Sequence, residues 1–243
     1  MVASSVMISG DATMQITHLT LQTHSLQAQY DFYVDTFGMQ LLTADTAQFT
    51  VQAGATTLTF AESHGAATPN YHFAFNVPPA QFDDAILWIT GRVPLVAHDT
   101  GDTQFSGSPV WDARMTYFYD PAGNIVEFIG RNRLHREVNT SFSSNSVMAI
   151  SEIGLATTNV QLLVETLNRE LTLPTFDGAG SDTFTAAGDD HGLFIVVHEG
   201  RTWFPTRGHQ AVISPMQARI IGNRDTQFTS EDGQYQIDVV SSR

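Results

Sequence analysis

A recurring unit of one strand, one amphipathic helix and several further strands most constrains what this chain can fold into. The first copy begins with the alternating segment QITHLTLQ at 15–22. In the segment that follows, apolar and aromatic residues recur at helical spacing, namely Leu26, Tyr30, Tyr33 and Phe37. The segments AQFTVQAG and TTLTFAES then read as two strands joined by a tight turn. This order predicts a βαβββ repeat.

The same unit recurs along the rest of the chain. The second copy begins with NYHFAFNV at 70–77, continues with a helix after two prolines, and ends with the strands MTYFYD and NIVEFIG. The third begins with AISEIGLAT at 149–157, and the fourth, from HQAVIS onward, lacks a helix. Repeats of this size predict supersecondary units that share sheets. The fold class is therefore α+β, with tandem βαβββ repeats.

The repeats suggest a division of the chain. We expect a disordered leader at 1–13, a first pair of repeats at 14–132 that carries the site, and a polar linker at 133–147. A second, degenerate pair would occupy 148–243.

Composition excludes several classes of chemistry. Cysteine and lysine are both absent, so disulfides, thiolate metal sites and lysine Schiff bases are excluded. The net charge of −14 repels phosphate backbones and makes nucleic acid an unsuitable partner. No apolar run is long enough for a membrane span, and the first residues lack the pattern of a signal peptide. We therefore expect a cytoplasmic monomer or homodimer that acts on a small molecule.

Three residues of the ligand type lie on strand faces that should line a cavity. Successive strand residues point to opposite faces, so His18 lies opposite Leu19, and His72 lies opposite Phe73. Glu127 is a lone carboxylate in the apolar strand NIVEFIG. A carboxylate that points into a core is costly unless it is paired or coordinated.

The order of elements, with FYVDTFGMQLL after the first helix and DPAGNIVEF at the end of the second repeat, resembles the vicinal-oxygen-chelate superfamily. This superfamily includes glyoxalase I, extradiol dioxygenases and bleomycin-resistance proteins. The resemblance implies half-open mixed-sheet barrels whose concave face holds a divalent metal. The ligand positions read His18, His72 and Glu127. Two imidazoles and one carboxylate favour Fe(II) or Mn(II), with Zn(II) also suitable.

The motif is closest to that of the extradiol dioxygenases, and it departs from both enzyme families at specific positions. A glyoxalase I site would need a fourth ligand, where Thr59 stands, and Glu62 faces the other way. The segment YFYDPAGNIVE at 117–127 resembles the extradiol signature, but the acid–base histidine expected near 108–111 is missing. Tyr117 is then the candidate catalytic residue, as a hydrogen-bond donor to a substrate oxygen.

Other residues are candidates for secondary roles. Trp111, Phe49 and Phe105 are candidate substrate-binding residues of an apolar pocket. In the second half, one set of positions corresponds to the ligands, and its members are Glu152, His209 and Asp238. This set is either a second site or a structural copy without ligands. The string GRTWFPT at 200–206 has no chemistry that the sequence explains.

Two classes of function follow. The first is a metal-dependent enzyme, either an extradiol-like dioxygenase or a glyoxalase-type lyase, in which the metal chelates neighbouring substrate oxygens as a Lewis acid. The second is a metal-free protein that sequesters a small apolar or cationic molecule, for which the acidic surface is suited.

Overall fold

Strands dominate the structure, as the repeats predict. The computed structural model of the chain describes residues 13–176 and 180–242, so the leader expected at 1–13 lies, apart from residue 13, outside the described residues. Within those ranges the strands are β1 Gln15–Thr23, β2 Gln40–Ala44, β3 Gln48–Ala53, β4 Thr56–Glu62, β5 His72–Asn76, β6 Gln104–Ser106, β7 Ala113–Tyr119, β8 Ile125–Arg131, β9 Ala149–Thr157, β10 Phe184–Asp189, β11 Gly192–His198, β12 Met216–Gly222, β13 Thr226–Thr229 and β14 Tyr235–Ser241.

The helices are short and lie within the first three repeats. The α-helices are α1 Leu26–Tyr30, α2 Phe82–Thr90 and α3 Val160–Leu171. Helix α1 continues as a π-helical turn, Asp31–Thr36, in which the amide of Phe37 donates to the carbonyl of Phe32 at 2.7 Å. Short 3-10 turns occupy Pro79–Gln81 and Ser144–Ser146. In the described part of the chain, no helix has the length and apolar content needed to cross a membrane.

The strands form two mixed sheets of seven. The first has the order β13-β14-β12-β1-β4-β3-β2, and the second has the order β10-β11-β9-β5-β8-β7-β6. In each repeat the first strand lies parallel to the last, as in the β1–β4, β5–β8, β9–β11 and β12–β14 pairs. This shared topology confirms the tandem βαβββ fold, with a fourth repeat that has strands and no described helix.

The repeats pair in a nested order. Strand β1 of the first repeat is antiparallel to β12 of the fourth, and β5 of the second is antiparallel to β9 of the third. Each sheet therefore contains strands from both of the segments expected at 14–132 and 148–243. This pairing decides which side chains can meet, because residues of one sheet face share one cavity.

The two faces of the second sheet differ in what they pack against. The largest apolar cluster joins one face of each sheet to the helices, and it includes Leu19, Leu58, Phe73 and Phe128. A separate, smaller cluster covers the other face of the second sheet. The candidate site lies on that second face.

The DPAG turn between β7 and β8 is a buried hydrogen-bond centre. The carboxylate of Asp120 accepts from Gln29 at 2.7 Å, from the Tyr33 hydroxyl at 3.0 Å and from the Asn124 side chain at 2.8 Å. Its other oxygen accepts the backbone amides of Ala122 and Asn124, at 3.0 Å each. The Asp of this motif thus joins the first repeat to the second, which is a structural role.

Candidate metal centre

Three buried side chains converge on the second sheet. His72, Glu127 and Glu152 each offer a ligand atom, and these atoms lie within 4.8 Å of one another. The Nε2 atom of His72 is 3.6 Å from Oε2 of Glu127 and 4.0 Å from Oε2 of Glu152. The three residues are only 6%, 2% and 3% exposed, respectively. All three side chains are therefore almost wholly buried.

Strand pairing explains the convergence. Strand β5 lies between β8 and β9, and its residue Ala74 pairs with Glu127 on one side and with Glu152 on the other. Residues two apart in a strand share a face, so His72 points to the same side as Ala74. Three strands thus place one imidazole and two carboxylates around Ala74, whose side chain is a single methyl group.

The imidazole presents a lone pair to the carboxylates. The Nδ1 atom of His72 lies 3.2 Å from the carbonyl oxygen of Ile125. A carbonyl can only accept, so Nδ1 carries the proton and Nε2 is the unprotonated nitrogen. Burial lowers the pKa of His72 to about 4, which keeps the ring neutral. The Nε2 lone pair therefore faces two further acceptors.

Burial makes both carboxylates reluctant to ionise. It raises the pKa of Glu127 well above its ordinary value, and the charge of Glu152 raises it further. Burial also raises the pKa of Glu152 to about 7, against the opposing effect of Arg131. The guanidinium of Arg131 donates to Oε1 of Glu152 and also pairs with Asp190 at 3.3 Å. Arg131 thus orients the Glu152 carboxylate, and its ion pairs in the described ranges are with Glu152 and Asp190.

The donor set fits a divalent cation. Among the described residues, Oε1 of Glu127 is buried and has no hydrogen-bond partner. Most buried polar atoms do have a partner, so an orphaned carboxylate oxygen calls for an explanation. Three converging acceptors, one nitrogen and two oxygens, are what Mn²⁺, Fe²⁺ or Zn²⁺ binds. These residues could hold such an ion through His72, Glu127 and Glu152.

A fourth ligand related by the repeat symmetry is absent from the group. Glu127 pairs with the residue two after His72, and Ile195 of β11 pairs in the same way with Gly154, two after Glu152. Ile195 therefore stands where a symmetric partner of Glu127 would stand. Its side chain lines the cavity as an apolar wall.

Aromatic side chains surround the centre. The cavity above the three ligands has a volume of about 320 Å³. Its lining residues are His72, Trp111, Met115, Tyr117, Glu127, Glu152, Phe184, Ile195, Arg201, Trp203 and Phe204. The ring of Trp203 lies over that of His72, with centroids 4.8 Å apart. A Cβ on Gly154 would come within 2.7 Å of Trp203, so glycine makes room for this ring.

The structure corrects the predicted ligand set at His18. This residue lies on β1 in the other sheet, and its side chain is exposed, with Nδ1 at 3.0 Å from the Thr17 hydroxyl. The register of β1 with β12 shifts between Ile16 and His18, so the strand is bulged there. Because β5 pairs with a strand of the third repeat, Glu152 occupies the place expected for His18.

The expected substrate-binding residues separate into two groups. Trp111 lines the cavity, and Phe105 packs behind it against Tyr117 and Phe204, with ring centroids 5.8 and 4.8 Å apart. Phe49 is a core residue of the first sheet and packs on Phe60 at 5.5 Å. Phe49 does not line the cavity above His72, Glu127 and Glu152, and its substrate-binding role stays a prediction.

Tyr117 lies where a catalytic donor would be needed. It is the cross-strand partner of Glu127 and lines the cavity. Burial raises its pKa well above the ordinary value for tyrosine, and the charges of Glu127 and Glu152 add to this shift. Its hydroxyl is therefore protonated at neutral pH, and its catalytic role stays a prediction.

The second ligand set considered in the sequence does not assemble. Nε2 of His209 is 2.7 Å from Oδ1 of Asn70, and Asp238 pairs with Arg219 at 3.5 Å on the first sheet. Glu152 alone of that set reaches the centre. The signal was present in AISEIGL, where a carboxylate stands at the ligand position of a first strand.

The string at 200–206 forms a part of the cavity wall that the sequence did not predict. Arg201, Trp203 and Phe204 all line the cavity. No periodic pattern marks such a segment, because it is neither helix nor strand of a sheet. Only a cluster of two aromatic residues beside an arginine in a polar stretch distinguishes it.

Two mixed sheets of paired βαβββ repeats, with a buried His/Glu/Glu group on one face of the second sheet, match the tandem vicinal-oxygen-chelate fold. Residues 15–128 match the model of the Glyoxalase/Bleomycin resistance protein/Dioxygenase superfamily, and this part of the chain belongs to that superfamily. A search of the curated proteins finds no match.

Solved structures with the same fold include members of both enzyme types. A Bacillus subtilis protein described provisionally as a dioxygenase superposes with a TM-score of 0.59 at 14% identity, over 95% of this chain and 86% of that one. A variant of glyoxalase I from Zea mays superposes with a TM-score of 0.56 at 10% identity, over 94% of this chain and 92% of that one. At these identities the likeness establishes the fold alone.

Proposed function

We propose that this chain is a divalent-metal-dependent enzyme whose centre is His72, Glu127 and Glu152. One observation carries the proposal: three buried acceptors face one another, and Oε1 of Glu127 has no partner among the residues described. A cation in their midst would satisfy the lone pair of His72 and both carboxylates at once. Two carboxylates also balance the charge of a divalent ion.

A divalent ion held by His72, Glu127 and Glu152 would supply Lewis-acid chemistry toward a substrate with two adjacent oxygens. The chain's own residues provide the rest. Arg131 fixes the Glu152 carboxylate by donating to its Oε1, and Oε2 of Glu152 lies 4.0 Å from Nε2 of His72, toward the centre. Tyr117 is positioned to donate a hydrogen bond from a protonated hydroxyl. Trp203 covers His72 and limits access of water.

We favour an extradiol-like oxidation of a small catechol-like substrate. Three protein ligands leave open positions of the kind that non-heme Fe(II) oxygenases use, although those enzymes hold iron with two imidazoles and one carboxylate. Ile195, which cannot bind a metal, occupies the position where the repeat symmetry would place a fourth ligand. The aromatic walls suit a flat ring. Iron(II) or manganese(II) is the metal that this proposal favours.

A glyoxalase-type isomerisation is the second candidate. Oε1 of Glu127 has no partner in the described structure, and the pKa of this carboxyl is raised well above its usual value. A free carboxylate with a raised pKa is suited to accept a proton from a carbon next to a carbonyl. This reaction would proceed without oxygen.

The test is reconstitution of the metal-free protein with Fe(II), Mn(II) or Zn(II), followed by assays for each reaction. Oxygen uptake with catechols, lost in Glu127→Gln and retained in the surface variant Arg136→Gln, supports the oxidation. Turnover of a hydroxycarbonyl substrate without oxygen uptake supports the isomerisation. A protein that binds small ligands equally well with and without metal would instead be a sequestering module, and the proposal would fail.

A further inference from the structure

The segment 200–206, here named the cavity strap, is held in place by its own backbone. The amide of Gly200 donates to the Ala211 carbonyl at 2.8 Å, and the amide of Trp203 donates to the His209 carbonyl at 2.9 Å. The amide of Ala211 returns a bond of 2.8 Å to the Arg201 carbonyl. The strap is therefore a short hairpin arm with a defined position, and Arg201 extends from it.

Arg201 contributes a positive charge to a cavity whose floor is acidic. It lines the same cavity as Glu127 and Glu152 and is partly buried. The guanidinium carbon lies 5.1 Å from the centre of the Phe184 ring, a cation–π distance. Burial lowers the pKa of Arg201, an effect that a bound anion would oppose. The guanidinium remains charged at neutral pH.

Arg201 differs from the other arginines near the site in having no acidic partner in the described ranges. Its hydrogen bond there is a long one, 3.4 Å from Nη1 to the carbonyl of Thr202. By contrast, Arg131 pairs with Glu152, and Arg133 pairs with Asp190 at 2.8 Å. Acidic residues outnumber basic ones by 25 to 11 in this chain. An arginine left without an acid in a cavity wall is thus available for an anion.

We propose that Arg201 binds a carboxylate of the substrate, so that the enzyme selects small, flat, acidic substrates. The inference rests on the proposed function, because the metal centre defines the opposite end of the ligand. Such a ligand has two adjacent oxygens toward His72, Glu127 and Glu152, and a carboxylate toward the strap. A guanidinium binds a carboxylate through two parallel hydrogen bonds, which gives orientation as well as affinity.

The size and walls of the cavity agree with this substrate class. Its volume of about 320 Å³ lies at the small end of the range for ligand pockets, which runs from roughly 300 to 1,000 Å³. Trp111 and Phe184 line it as flat aromatic walls. A single aromatic ring with a carboxylate matches these features, whereas a large ligand does not.

The test compares two probes that differ only in the carboxylate, catechol and 3,4-dihydroxybenzoate. Their dissociation constants are measured by calorimetry on Zn²⁺-loaded and metal-free protein, since zinc is redox-inert and prevents turnover. We expect the wild type to bind 3,4-dihydroxybenzoate at least about tenfold more tightly than catechol. This is the gain in affinity expected from a charge-assisted pair between Arg201 and the carboxylate. Arg201→Gln should abolish this preference, Arg201→Lys should keep part of it, and Arg136→Gln should leave it unchanged.

The outcomes separate this inference from the proposed function. Equal binding of the two probes by the wild type, or a preference that survives in Arg201→Gln, would overturn the role of Arg201 even if metal is bound. Failure of the protein to bind Zn²⁺, with a preference for the acid that still depends on Arg201, would overturn the metal centre and support the anion site.

Discussion

Glu127 and Glu152 flank the same residue, Ala74, from the two strands that border β5. Two buried carboxylates at this spacing repel each other, and the charge of Glu152 raises the pKa of Glu127. Without a cation, the arrangement is therefore a source of instability. With a cation, the same two groups become ligands, so metal binding and folding stability are coupled at this site.

Replacement of Glu127 by Gln should have opposite effects on the metal-free and metal-loaded protein. The amide keeps the size of the side chain and removes a carboxyl whose ionised form is disfavoured by burial, so the metal-free variant should be more stable than wild type by about 1 kcal/mol or more. The stabilisation that Zn²⁺ confers should fall strongly, because a charged ligand is lost. Thermal unfolding with and without Zn²⁺ measures both effects, and a variant stabilised by Zn²⁺ as much as wild type would contradict the ligand role.

The metal-free protein should lose stability as pH rises through about 7. The folded-state pKa of Glu152, about 7, is above its ordinary value of 4.5, so the folded state binds the proton more tightly than the unfolded chain does. The stabilising effect is complete below 4.5 and disappears as pH rises through about 7. His72 acts in the opposite direction, but only below its ordinary pKa of 6.5. Denaturant titrations above that pH should therefore show the decline, and Glu152→Gln should flatten it.

Gly154→Ala should distort the wall of the site. The new Cβ would lie 2.7 Å from the Trp203 ring and 3.3 Å from the His72 carbonyl, so the ring must shift. We expect a loss of about 1–3 kcal/mol in the free energy of unfolding, as for other overpacked positions. The control is Gly65→Ala, where the nearest atom lies 3.9 Å away. In a double-mutant cycle, Trp203→Ala should relieve part of the cost, and strictly additive effects would show that the two residues do not clash.

Asp120→Ala should destabilise the fold without affecting the metal. The carboxylate accepts hydrogen bonds from Gln29, Tyr33 and Asn124 in a buried position, so several donors would be left unpaired. A loss of at least about 3 kcal/mol is expected, against less than about 0.5 kcal/mol for the exposed control Asp35→Ala. Urea unfolding measures the loss, and metal content per folded chain should equal that of wild type. A variant that folds normally but loses metal would point to a role at the centre.

The sequence predicts the repeats and two of the three residues at the centre. Alternation within a strand is a local property, so it places His72 and Glu127 on cavity-facing positions without knowledge of the fold. It does not reveal which repeats join edge to edge. The first repeat pairs with the fourth, and the second with the third, and this tertiary choice removes His18 from the centre and brings in Glu152.

The cavity strap shows a second limit of sequence reasoning. Its residues Arg201 and Trp203 are held at the cavity by backbone hydrogen bonds to Ala211 and His209, and Gly154 leaves space for the Trp203 ring. None of these contacts follows from periodicity or from a turn signature. Phe49 shows the same limit for a strand residue. An aromatic residue on a strand packs in the core when the helices cover its face of the sheet, and it can line a cavity when they do not. The sequence does not reveal which face is covered, and Phe49 lies in the core.

The most direct measurement is the metal content of three proteins purified without chelator and incubated with Fe(II), Mn(II) or Zn(II): wild type, His72→Ala and His18→Ala. The two variants remove the same side chain, one at the centre and one on the exposed face of the other sheet. We predict about one ion per chain for wild type and His18→Ala, and a near-complete loss for His72→Ala. A wild type that retains no ion, or an ion that depends on His18 and not on His72, would contradict the centre.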